Sequence, residues 1–199
     1  MKMAGLVVLE GIDGCGKSSV AGIVAKKLGK RAVLTREPTD SWIGEAVRKG
    51  DDRKVSPYTD ALLFMADRSI HTLDMVDLIK KGKLVVCDRY YHSTVAYQAA
   101  FLKTTFHGDV FKWLLDANLR LSIHPDLTVL LNIPPELGLE RIRGRRALSR
   151  FERLEFLKEV HKNYLRLARR DHSIVRIDAT RPLAEVADEV LKLIRERKL

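Results

Sequence analysis

Short runs of apolar, largely β-branched residues alternate along the chain with longer stretches in which apolar positions recur every three or four residues. The runs at 6–9, 31–35, 84–87, 127–133 and 174–177 are nearly continuous, Leu6-Val7-Val8-Leu9 being typical, and that is the pattern of strands covered on both faces. The helical period predicts helices over 17–29, 91–100, 109–119, 136–141, 152–170 and 182–198, and one more from Pro57 onward behind Ser56 as its cap. Strands alternating with helices build parallel βαβ units. The expectation is therefore an α/β fold of three layers, a five-stranded parallel sheet with helices on both faces.

Composition narrows the classes that remain. With 199 residues, 46% hydrophobic, the chain can bury one core of ordinary size, and a single domain over 1–199 is expected. Two cysteines, Cys15 and Cys87, lie far apart without metal-ligand spacing and read as free thiols. No apolar stretch approaches the roughly 20 residues of a membrane span, and Leu6–Leu9 gives way to Glu10 and Gly11 without a cleavage site, so a cytoplasmic protein is expected. Gln98 is the single glutamine and Lys, Glu and Arg are abundant, a balance that leans toward a thermophile. A net charge of +10 asks for an anionic partner: nucleic acid, acidic membrane or a phosphate ligand.

Gly11-Ile12-Asp13-Gly14-Cys15-Gly16-Lys17-Ser18 fits G-x-x-x-x-G-K-[ST] between an apolar strand and a helix. In such a P-loop the glycines let backbone N–H groups turn inward around a phosphate chain, and the helix N-terminus adds partial positive charge. The eight residues are the expected ATP cradle, with Lys17 on the β- and γ-phosphates and the Ser18 hydroxyl on Mg²⁺. Asp88 ends the third strand and is the second expected Mg²⁺ ligand, unless it caps a helix or pairs with Arg89. Where many water-activating ATPases place a glutamate after that aspartate, this chain has Arg89, and no guanine-reading N-K-x-D or T-K-x-D occurs. Transfer to a bound acceptor is what remains. Arg36 and Arg89, each after a strand at the P-loop edge of the sheet, can fork onto an acceptor phosphate, or instead pair with Glu37 and Asp88.

The chain resembles thymidylate kinases in a collinear series of motifs: Glu10-Gly11-Ile12-Asp13-Gly14; Thr35-Arg36-Glu37-Pro38; Leu62-Leu63-Phe64 with Ala66 and Arg68; Asp88-Arg89-Tyr90-Tyr91 with Ser93 and Ala96-Tyr97-Gln98; Pro125-Asp126-Leu127-Thr128; Pro135-Glu136; and Arg150-Phe151-Glu152. The resemblance implies a P-loop NTPase fold and transfer of the ATP γ-phosphate to thymidine 5′-monophosphate (dTMP), giving dTDP. It places Arg36 and Glu37 in the acceptor loop, Phe64 on the thymine ring and Arg68 on a thymine carbonyl. Tyr97 is implied against the sugar 2′ position, Gln98 at the base or sugar edge, and Asp13 near the acceptor sugar. Phe64 reads equally as core from its apolar neighbours. No general base is needed, since an acceptor phosphate oxygen is already anionic. A homodimer is implied too, and the apolar face around Phe111, Trp113, Leu114 and Leu115 is either its interface or core. A different nucleotide or deoxynucleoside kinase is the near alternative.

Arg141, Arg143, Arg145, Arg146, Arg150 and Arg153 stand within thirteen residues that hold one acid, Glu152, a local charge of +5. Guanidinium groups so close repel one another, so a flexible lid over 141–153 is expected, closing when ATP arrives. The resemblance assigns Arg141 to ATP and offers Arg143, Arg145 and Arg150 beside Lys17, Asp13 and Arg89 as catalytic groups, because relatives with a small residue at the position of Gly14 use lid arginines in place of a P-loop arginine. Solvated surface positions, or pairs with Glu136, Glu140 and Glu152, are the plainer reading of each. Residues 1–140 hold nineteen basic and seventeen acidic side chains, residues 141–199 seventeen and nine. The excess is thus local to the lid half, and with Phe151 as the one aromatic in the run, a nucleic-acid-binding P-loop ATPase is the weaker rival. Thr39-Asp40 after Pro38, Asn132 at the end of the fourth strand and Ser149 before Arg150 depart from the family pattern.

Overall fold

A computed structural model of the chain describes residues 4–53, 55–143 and 153–199, and the side chains of 51–53 lie outside that description. The element order is β1 (Gly5–Glu10), α1 (Lys17–Leu28), β2 (Ala32–Arg36), α2 (Trp42–Arg53), α3 (Pro57–Lys80), β3 (Leu84–Asp88), α4 (Tyr91–Leu102), α5 (Val110–Leu121), β4 (Leu127–Asn132), α6 (Pro135–Arg143), α7 (Leu154–Arg170), β5 (Ile174–Asp178) and α8 (Leu183–Glu196), with a 3₁₀ turn over Gly29–Arg31. All five expected strands are present, and every pairing is parallel in the order β2-β3-β1-β4-β5.

Central β1 is buried at all six positions, whereas edge strand β2 is only half-covered and leaves Leu34 exposed. Because successive side chains point to opposite faces, β1 and β3 feed two apolar clusters. Leu6, Val8, Val85 and Cys87 pack with Met75 of α3, while Val7, Leu9, Leu84 and Val86 pack with Val20 and Val24 of α1. Continuous apolar strands are the consequence of this two-sided burial. Chain order steps outward from β1 to β2, returns through β3, and crosses β1 to β4, so the crevice for a ligand opens at the carboxyl ends of β1, β3 and β4.

The helices follow their expected positions to within a few residues, and the caps explain where they begin. Ser56 accepts from the Thr59 N–H at 3.1 Å ahead of Pro57, and Asp109 accepts from the Lys112 N–H at 3.0 Å. One helix has no counterpart in the sequence reading. Among its described side chains, helix α2 buries only two large apolar ones, Ile43 and Val47, one turn apart, beside Gly44 and Gly50, so few apolar residues mark it in the sequence. Its start is capped locally, the Ser41 hydroxyl accepting from the Gly44 N–H at 3.1 Å, and Gly44 lies so close to the Thr39 backbone that a Cβ would overlap its carbonyl. The Phe111 and Leu114 face of α5 is buried in the core, which removes it as an exposed interface.

Candidate functional site

The P-loop links the carboxyl end of β1 to the start of α1, and its shape depends on the absence of side chains. Gly14 has φ +82°, and a Cβ there would overlap the carbonyl of Gly138 on α6. Lys17 is buried and donates from Nζ to the carbonyls of Gly11 and Ile12, 2.9 Å each, with Cys15 Sγ 3.7 Å away. The ammonium thus lies inside the loop, where a phosphate oxygen can exchange with a carbonyl as its partner. Cys15 and Cys87 are both free and buried, as expected, and burial pushes both thiols up, so neither is a ready nucleophile.

Ser18 and Asp88 meet as the spacing implied. The Ser18 hydroxyl donates to Asp88 Oδ2 at 2.5 Å, and Asp88 Oδ1 is buried without a hydrogen-bond partner among the described residues. A hydroxyl and a carboxylate with an unsatisfied oxygen are hard donors of the kind Mg²⁺ prefers when phosphates and water complete its shell, so the residues fit that ion.

Arg89 joins the donor loop to α4. Its guanidinium pairs with Asp13, donates to the Ser93 hydroxyl at 3.2 Å and lies over the Tyr97 ring, 5.4 Å from the centroid. Its partner is therefore Asp13 and not the neighbouring Asp88. The backbone at Arg89 has φ +70°, a left-handed conformation uncommon for a residue with a Cβ, and it persists because the Arg89 N–H is tied to the Leu9 carbonyl at 3.0 Å. Tyr97 completes the bracket: its hydroxyl donates to Asp13 Oδ2 at 3.0 Å and accepts from the Asp13 N–H at 3.1 Å. Burial would raise the Asp13 carboxyl, but Arg89 and Lys17 outweigh it and hold it below the usual range.

The sequence reading treated Glu10 only as a motif residue, yet it organises this junction. It is 1% exposed and accepts from the N–H groups of Tyr90 and Ser93 at 2.7 and 3.1 Å and from the hydroxyls of Ser93 and Tyr164 at 2.7 and 2.9 Å. Glu10 so caps α4 from the end of β1, the role that Tyr90 at the N-cap position leaves open. A carboxylate closing a fully buried strand is the signal that points to it, since such a charge needs partners.

Burial would raise the Glu10 carboxyl too, but His92, Ser93 and Arg89 together bring it below its ordinary 4.5. A carboxyl lowered in the fold stabilises it above the unfolded value, and that contribution disappears as pH falls from 4.5 through the folded value. Glu10→Gln is therefore expected to lose less stability than the parent between neutral pH and the acid range below 4.5. Urea midpoints across a pH series check this, and parallel pH slopes for the two proteins would refute it.

Beside β2, Arg68 and Glu37 form a buried pair, Arg68 1% exposed. Arg68 donates to Glu37 Oε2 from Nε at 3.0 Å and Nη2 at 2.5 Å, to Thr94 Oγ1 at 2.9 Å, and to Asn118 Oδ1. The other Glu37 oxygen faces His71 Nδ1 at 3.1 Å, and His71 Nε2 is 2.7 Å from Thr35 Oγ1. Both residues thus serve chiefly to join β2, α3, α4 and α5, and one Nη1–H of Arg68 remains for a ligand. Phe64, one turn before Arg68, is half-buried, and Gln98 is buried with no hydrogen-bond partner among the described residues. Arg36 is exposed and pairs with Asp40, not with Glu37.

The departures at 39, 40 and 132 have local explanations. Buried Asp67 accepts from the Thr39 N–H and hydroxyl at 2.7 and 2.5 Å and from the Ser41 hydroxyl at 2.9 Å, fixing the loop after Pro38. Asn132 Oδ1 is 2.9 Å from His161 Nε2 on α7. At the base of the expected lid, Arg141 donates to the carbonyls of Ala179 and Thr180 at 3.1 and 3.3 Å, and Arg143 is exposed at the end of α6. Arg145, Arg146, Ser149 and Arg150 lie outside the described residues.

The thymidylate kinase family profile matches residues 9–190. A probable thymidylate kinase of Archaeoglobus fulgidus is 38% identical over 193 residues, 95% of this chain and 94% of the relative. One from Methanosarcina barkeri is 40% identical, with 96% of each chain covered. The structure of a thymidylate kinase from Candida albicans superposes with a TM-score of 0.82 at 25% identity, covering 98% of this chain and 93% of that one. Profile, relatives and superposition run through the P-loop, the Asp13, Arg89 and Tyr97 bracket and the Glu37 and Arg68 pair alike, and on these grounds the chain belongs to the thymidylate kinase family.

Proposed function

We propose that this protein transfers the γ-phosphate of ATP to dTMP, releasing dTDP and ADP, from one kinase domain with its lid over 141–153. The observation that carries the reading is the Asp13, Arg89 and Tyr97 bracket, which sets a cation at the seam between the P-loop and the helix facing the acceptor. The ATP phosphates lie along Gly11 to Ser18, with Lys17 leaving its loop carbonyls for them and Arg141 at the nucleotide edge. Ser18 and Asp88 hold Mg²⁺, which when bound offsets charge on the phosphates. Arg36 and Arg89 take the acceptor phosphate; Phe64, Gln98 and the remaining Arg68 donor take the base; Tyr97 and Asp13 border the sugar. Arg143, Arg145 and Arg150 bring charge to the transferring group as the lid excludes water.

The acceptor phosphate supplies its own nucleophile, so the protein contributes position and charge and no proton transfer. ADP release measured across dTMP, dUMP, dCMP, dGMP and AMP tests the assignment. Highest kcat/KM for dTMP is expected, and a several-fold preference for another acceptor sinks it.

The protein acts as a cytoplasmic homodimer in this reading. Leu62, Ile70 and Leu73 form an exposed apolar stripe on α3, with Leu73 70% exposed, and a second copy of the same stripe is its natural cover. Sedimentation at micromolar protein should give twice the 22.6 kDa chain mass, and a monomer removes this part of the proposal.

A further inference from the structure

A second cavity lies apart from the phosphate-binding loop, between the start of α4, the end of α5 and the end of α7, with a volume of about 280 Å³. Leu115, Leu119 and Leu167 give it an apolar wall, and Tyr91 and His92 close it with rings stacked 3.9 Å apart. His92 is 1% exposed, and neither of its ring nitrogens has a hydrogen-bond partner among the described residues. Its nearest acid is Glu10, with Oε1 3.7 Å from Nδ1, beyond hydrogen-bond reach. A buried imidazole left without hydrogen-bond partners is costly, and its place in a cavity wall shows where one can come from.

The charges around the cavity indicate what that partner is. Arg170, His124 and His172 bring a guanidinium and two more imidazoles, against one carboxylate, Asp171. That carboxylate is already engaged: Oδ1 accepts from the Ser173 N–H at 2.8 Å and Oδ2 faces His124 Nε2 at 3.3 Å. The polar side therefore favours negative charge, and the leucine side favours carbon. At about 30 Å³ per water-sized volume, the space suits a ligand of roughly ten non-hydrogen atoms.

We propose that this cavity is a binding site for a small organic anion, apolar at one end and bearing a carboxylate or phosphate at the other, whose anionic end meets His92. With Glu10 on the Nδ1 side and the ligand on the other, both ring nitrogens of His92 gain a polar neighbour. Glu10 also caps α4 and shares Ser93 with Arg89, so the site connects to the catalytic junction through two side chains.

Benzoate and phenyl phosphate are suitable probes for the full chain, with inorganic phosphate as the arm that carries charge without carbon. Titration followed by the imidazole NMR signals is expected to shift His92 with a Kd of about 1 mM or tighter for at least one aromatic probe, and which one binds tells carboxylate from phosphate recognition. Leu119→Trp, at a half-exposed position, should fill the cavity and abolish the shift while leaving the KM for dTMP unchanged. No His92 shift with either aromatic probe overturns the proposal. A shift that survives Leu119→Trp, or equal binding of inorganic phosphate, overturns it as well.

Discussion

Replacing Arg68 by alanine is expected to lower folding stability by about 3–5 kcal/mol, the range for removing one partner of a buried ion pair. The guanidinium is 1% exposed and its loss strands the Glu37 carboxylate, itself buried, with His71 as its remaining neighbour. Asn118 and Thr94 lose a donor in the same step. Arg68→Lys should recover little, because one ammonium cannot reach Glu37, Thr94 and Asn118 from a single point. Converting both partners to uncharged residues of similar size, Glu37→Gln with Arg68→Met, should cost less than Arg68→Ala alone. Urea midpoints decide this. An Arg68→Ala midpoint equal to that of the parent would show that the pair does not hold the fold, and Arg68 would then be purely a base-contacting residue, read by a rise in the KM for dTMP without a rise in that for ATP.

Arg89→Ala is expected to reduce kcat by about 10³ or more, the lower end of what a transition-state arginine contributes in phosphoryl transfer, while the protein stays folded. The side chain is about one-quarter exposed and lies at the edge of the core, so its removal opens no large cavity. Lysine should not restore the rate, because the site uses a planar fork, with Asp13 on one nitrogen and Ser93 on another. The φ of +70° adds a control that separates chemistry from folding. Arg89→Gly should be as inactive as Arg89→Ala yet more stable by on the order of 1 kcal/mol, since glycine adopts that backbone without strain. Steady-state kinetics with denaturation midpoints read both effects. A loss in kcat below about tenfold, worth less than about 1.4 kcal/mol, would exclude Arg89 from the transition state.

The parts of the fold that were legible in the amino-acid pattern are those whose signal is local. Strands buried on both faces must be apolar throughout, so β1, β3 and β4 announced themselves, and Ser56-Pro57 marked the start of α3 by chemistry that acts within one turn. Helix α2 stayed hidden because few large apolar residues mark it and part of what fixes its entry, Asp67 on Thr39 and Ser41, comes from 26 to 28 residues away. The same distance rule governs the site. Glycine spacing and the Lys17-Ser18 pair identify a phosphate loop, and Asp88 at a strand end meets Ser18 across 70 residues only because both termini lie on one edge. Nothing in the sequence tells that Arg89 turns to Asp13 instead of Asp88, that Arg68 is taken up by Glu37, or that Glu10 gathers Ser93 and Tyr164.

The contact between Gly14 and Gly138 bears on how such a site can change over generations. Any side chain at position 14 would meet the Gly138 carbonyl at a backbone angle that already disfavours one. A side chain cannot enter there by a single substitution alone, because α6 must first draw back. The bare turn at position 14 and the close approach of α6 are therefore tied, and neither can change without the other.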